Sequence, residues 1–217
     1  MKNLKAKIAA VTALLLLFAV TAGFSGCGRE EKEEPSETES VTEHKMELDE
    51  LAGIIIPASV KNDMATVFEY SFMDMDKAFE DMIDQKQMDK ATVYSQLTEQ
   101  LGTEITCYTD YLKKQSEIQN DALKIQYGDD FKVTYEIIEQ NTCTEEERKE
   151  KIALILAQLE GSGLASSRYF DPSKAEEFCE IDFDYTIEGS KYKQSSAKII
   201  TVMKYDGEWV YGDVEFM

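Results

Sequence analysis

Near Gly128 the repeat of apolar residues along this chain changes, and that change constrains the fold more than any single motif. Before it, apolar positions recur every three to four residues. After it they alternate with polar ones. The first spacing buries one stripe of a helix and the second buries one face of a strand. Val67, Phe68, Phe72, Met75, Phe79, Met82 and Ile83 predict one long amphipathic helix, entered at Asn62 or Asp63, either of which can cap it. Asp89 caps a second helix carrying Val93, Tyr94, Leu97 and Leu101 and interrupted at Gly102. Ile105, Tyr108, Leu112, Ile118, Ala122 and Ile125 carry the spacing on to Tyr127 and Gly128, where glycine supplies a left-handed cap. The Met and Phe stripe of the first helix reads as core, because burying such a stripe is what holds a helix to a domain. Asp74 and Asp76 do not make a calcium loop. The glycine turn and the later ligands are missing, and helical spacing sets the two carboxylates on different faces.

The alternating part begins with residues 131–137, rich in β-branched and aromatic side chains and read as a strand. Thr144 followed by Glu145, Glu146 and Glu147 is a capping-box start for a helix that buries Ile152, Ile155, Leu156 and Leu159 and stops at Gly161 and Gly163. Residues 164–174, with Pro172, read as loop. Residues 179–187 then set Ile181, Phe183, Tyr185 and Ile187 on one face and Glu180, Asp182, Asp184 and Thr186 on the other. Residues 198–203 form the next strand, Asp206-Gly207 is a hairpin turn, and residues 209–216 close the sheet. The sequence therefore predicts an α+β domain over residues 51–217, mainly helical over 51–128 and β-rich over 129–217. Helices cover one face of a curved antiparallel sheet. Within the lead from Leu51 to Pro57, proline bars a continuous helix.

Ahead of this body, Lys2, Lys5 and Lys7 precede an apolar run from Ile8 to Phe24, and no acidic residue occurs before Glu30. A positive start, an apolar middle and small residues at the end make a secretory signal. The run is short for a relaxed membrane span of roughly 20 residues, and acids rather than basic residues follow it. Residues 28–50 hold ten acidic residues against Arg29, Lys32 and Lys45. Such a segment buries too little surface to offset its ordering entropy, so 27–50 is read as a disordered tether with a reach of about 25–30 Å. His44, the chain's one histidine, lies in this tether and reads as a bystander.

The stretch Phe24-Ser25-Gly26-Cys27 resembles the lipobox of bacterial lipoproteins, with Phe24 standing where that family carries an aliphatic residue. The resemblance implies a diacylglyceryl group on the Cys27 sulfur and cleavage between Gly26 and Cys27. It implies residence on the extracytoplasmic face of the cell membrane, held through the lipid. Two acyl chains at about 0.8 kcal/mol per buried methylene make a lasting anchor. The competing reading is an ordinary secreted protein, or an uncleaved anchor, with an incidental cysteine.

The layout over roughly residues 60–217 resembles the NTF2-like, or cystatin-like, α+β fold found in many small lipoproteins of Gram-positive bacteria. The long first helix, the strand at 133–138 and the ending 202–211, with Asp206-Gly207 before Trp209 and Tyr211, carry the resemblance. That fold serves enzymes, ligand binders and scaffolds alike, so it does not select a function.

Charge and residue inventory narrow the function classes. The net charge is −20, and losing three lysines with the leader lowers it further. Nucleic acid is therefore excluded as a partner, because phosphate binding needs basic patches. The body has no histidine, which removes Ser/His/Asp and Cys/His nucleophile schemes and the common zinc sites. The resemblance leaves acid/base chemistry by Asp and Tyr, for which Asp182 and Asp184 with Tyr135, Tyr185, Tyr205 and Tyr211 are the available groups. Alternation, however, turns the two carboxylates away from the apolar face. No catalytic residue, metal ligand or cofactor is assigned. Cys107, Cys143 and Cys179 leave at least one thiol unpaired, with Cys143–Cys179 as a disulfide if their strands adjoin and three buried thiols as the equal alternative. The functional expectation is a non-catalytic binding or accessory module at the cell envelope, recognising a protein or small molecule. An Asp/Tyr enzyme or a purely structural envelope protein is the alternative.

Overall fold

The computed structural model describes residues 45–212. Seven α-helices are present among them: α1 Leu48–Val60, α2 Met64–Phe68, α3 Met75–Gln85, α4 Lys90–Leu101, α5 Tyr108–Tyr127, α6 Glu145–Gly161 and α7 Ser166–Tyr169. Strand β1 (Lys132–Thr142) precedes α6. A single turn of 3₁₀ helix at Pro172–Lys174 leads into β2 (Ala175–Glu188), β3 (Lys193–Tyr205) and β4 (Glu208–Tyr211). The four strands form one curved antiparallel sheet in the order β1-β2-β3-β4, so the predicted α+β class holds.

The expected barrier at Pro57 does not operate: α1 runs through it. An interior proline costs about 3 kcal/mol, but α1 buries Leu51, Ala52, Ile55, Ile56 and Val60 against the sheet, and the large aliphatic side chains contribute about 1.5–3 kcal/mol each. Tertiary burial outweighs the local penalty. The helix also starts at Leu48, and the Met46 carbonyl accepts from Trp209 N–H, so ordered structure begins inside the stretch expected to be tether.

The long first helix is two. Asp63 caps α2 by accepting from Thr66 N–H, and Asp74 caps α3 by accepting from Lys77 N–H at 3.0 Å. Between them the chain lies beside β4, with a parallel bridge from Ser71 to Tyr211 and a bond from Tyr211 N–H to the Tyr70 carbonyl at 2.6 Å. Backbone groups that a continuous helix would have used internally are spent on the sheet. The cap at Asp89 and the interruption at Gly102, in the left-handed helical region at φ 66°, are found as expected. So is the Thr144 capping box, closed by its reciprocal bond with Glu147. Gly128, expected as a left-handed cap, instead closes α5 at φ 110° and ψ 158°, outside that region. The region 164–174 is less irregular than predicted, holding α7 and the 3₁₀ turn, while β1, β2 and β3 all extend beyond their expected ends. Of the expected last strand, residues 213–216 lie outside the described residues.

Two apolar clusters hold this arrangement. One joins the helices to each other and reaches the sheet through Phe178 and Met203; it contains Phe68, Phe79, Tyr108, Ile155 and Phe170. The other packs α1 and Tyr127 onto Cys179, Ile181, Phe183, Ile187, Ile200 and Val202. Because Phe178 and Cys179 alternate, the clusters meet β2 from opposite sides. The helices are therefore not confined to one face: α1 covers the inner face, and α6 crosses the start of β2 on the outer one.

Candidate functional site

The outer face of the sheet is where the chain leaves polar chemistry uncovered. At one end α6 closes it. Ile155 and Leu159 pack with Phe178 and Met203, and Arg148 donates to the Ala175 carbonyl at 2.7 Å. The Lys151 ammonium pairs with Glu180 at 2.7 Å and reaches the Thr201 hydroxyl at 3.4 Å. Beyond Glu180 no described helix covers this face. Asp182 is half-buried and Asp184 exposed, on the side opposite the buried Ile181 and Phe183, as the alternation predicts.

Register adds two carboxylates of β1, Glu136 within the predicted strand and Glu139 beyond its expected end at Ile137. Glu136 lies directly opposite Asp184. A bulge at Ile138 then shifts the ladder by one residue, so that Glu139 lies directly opposite Asp182. Without the bulge Glu139 would alternate to the inner face; with it, four carboxylates form two facing pairs on one surface. None of the four makes an ion pair with a described residue. The nearest basic position on β3, Lys198, alternates to the inner side and donates to the Ser59 carbonyl. Two large apolar side chains accompany the acids: Ile138 at the bulge and Ile199 opposite Asp182, each 56% exposed. Toward the β2–β3 turn the face continues through Thr134, Thr186, Ser195 and Ala197, which with Glu136 and Asp184 line a shallow depression of about 610 Å³.

The tyrosines do not join these carboxylates. Tyr135 and Tyr185 are cross-strand partners on the inner side, near Gly53 of α1. Tyr205 stacks on Phe170 at 5.6 Å and accepts from Asp171 N–H at 2.9 Å, and Tyr211 sits on β4 beside Tyr70. The proposed Asp/Tyr set is spread over two faces and two ends of the sheet.

A smaller hollow of about 260 Å³ under α6 is lined by Cys143, Glu147, Glu150, Lys151, Leu154 and Glu180. Burial pushes the Cys143 thiol up, as does the negative charge of Glu180 next to it. Cys179 is pushed up to about 11, first by burial and then by neighbouring Cys143. Both thus stay protonated thiols, far from the depressed values of reactive cysteines. Their strands adjoin, as the disulfide expectation requires, with Cys179 opposite Thr142. Yet Cys143 packs against the helical cluster and Cys179 belongs to the inner one, and none of Cys107, Cys143 and Cys179 forms a disulfide among the described residues. The thiols project to opposite sides of the sheet, which is why adjacent strands do not bring them into bonding geometry.

Among the described residues no group of three or more His, Cys, Asp or Glu side chains is placed to hold a metal ion, and no helix is long and apolar enough to cross a membrane. Gly26, Cys27 and His44 lie outside the described residues. No family model matches the chain, and no curated protein or solved structure matches it.

Proposed function

We propose that this chain is a lipoprotein anchored through Cys27 to the extracytoplasmic face of the cell membrane, and that its body is a non-catalytic binding module acting through the outer face of the sheet. The anchor rests on the basic start, the apolar run and the small residues before Cys27. The body is read as NTF2-like on the strength of its curved antiparallel sheet, its α-helices and the closing hairpin around Asp206-Gly207.

One observation carries the binding assignment: two directly opposed carboxylate pairs, Glu136 with Asp184 and Glu139 with Asp182, share an uncovered face with exposed Ile138 and Ile199. Like charges facing across a ladder destabilise it, so the arrangement is costly for the isolated fold and becomes favourable when a partner supplies cations. The partner is a protein surface presenting basic side chains with apolar ones between them. Electrostatic complementarity of this kind speeds encounter and fixes register.

The test is a pull-down from native envelopes with the wild-type chain and with E136Q/E139Q/D182N/D184N. A defined protein retained by the first and lost by the second supports the assignment; identical captures by both overturn it.

A further inference from the structure

We draw no further inference here: the strongest candidate outside the face already described, the exposed stripe of Ile118, Ala122 and Ile125 along the solvent side of α5, is an unpartnered helix face, and nothing in the structure shows what covers it.

Discussion

Asp76 of α3 caps α5 from outside that helix: its carboxylate accepts the Thr109 N–H at 2.7 Å and the Thr109 hydroxyl at 3.1 Å. The residue at the N-cap position itself, Cys107, makes no side-chain cap bond, so a donor near the start of α5 is satisfied by another element. The contact fixes the crossing of two helices as well as an end. Asp76→Ala should therefore cost about 1–2 kcal/mol, the upper part of the usual range for a lost cap, because Thr109 is buried and water replaces the carboxylate poorly. Urea unfolding at neutral pH measures it, and a change under about 0.3 kcal/mol would remove the cap from the account.

The capping box of α6 carries a pH signature. Thr144 N–H donates to Glu147 at 2.7 Å, and this bond, followed by that of the Thr144 hydroxyl, holds the Glu147 carboxyl below its ordinary 4.5. A carboxyl depressed in the folded state contributes stability that is present above the unfolded value and disappears as pH falls through the folded one. Glu147→Gln should thus be less stable than wild type at pH 7, with the difference closing as the pH drops below about 4.5. Chemical unfolding across that window gives the comparison. A gap that stays constant to pH 3 is incompatible with this role for Glu147.

The caps Asp63, Asp89 and Thr144, the alternation of β2 and the turn at Asp206-Gly207 were all legible in the sequence, because each is a local decision between neighbouring residues. What was not legible depends on distant partners. Pro57 forbids a helix only until the burial of Leu51, Ile55 and Ile56 is counted. The stripe from Val67 to Ile83 reads as one helix until Tyr211 takes the Tyr70 carbonyl. Ile118 and Ile125 keep helical spacing with the buried Tyr111 and Leu112, yet the second half of α5 turns Leu123 and Tyr127 to the inner cluster and leaves the two isoleucines 44% and 76% exposed on its other side. The candidate face was half visible. Asp182 and Asp184 followed from period two, while Glu139 joined them only through a bulge for which the sequence offers no strong sign.

Cluster membership separates large effects from small ones. Phe79 is fully buried and stacks on Tyr108 at 4.5 Å in the helical cluster, and Phe183 is fully buried against α1 in the inner one. Truncation of either to alanine should cost about 3–5 kcal/mol. Ile199→Ser, on the open face, should change stability by less than about 0.5 kcal/mol. Thermal and urea unfolding of the three variants decides the matter, and a cost above about 2 kcal/mol for the Ile199 variant would mean that this face is covered in the free protein.

Thiol chemistry follows from the same division. With both thiols held in the protonated form and Cys107 and Cys179 buried, alkylation of the native protein at pH 8 should reach Cys143 first and more slowly than free cysteine, with the other two labelled only on unfolding. Peptide mapping after a timed iodoacetamide pulse reports the order. Recovery of a Cys143–Cys179 disulfide peptide from untreated protein would contradict the opposed placement of the two side chains.

The facing carboxylates give the most direct test of a stability cost. Glu136 against Asp184 and Glu139 against Asp182 are like charges at direct cross-strand positions, and the basic side chains near them are engaged elsewhere, Lys151 by Glu180 and Lys198 at the Ser59 carbonyl. E136Q/E139Q relieves both pairs while keeping side-chain size. It should stabilise the free protein by about 0.2–1 kcal/mol per pair at low ionic strength. Since the repulsion is at the surface, most of the gain should vanish in about 1 M salt, where charges are screened beyond roughly 3 Å. Urea midpoints at low and high salt measure both effects. A double variant no more stable than wild type at low salt would show that the pairs carry no strain for a partner to relieve. A gain unchanged by salt would place its origin outside electrostatics.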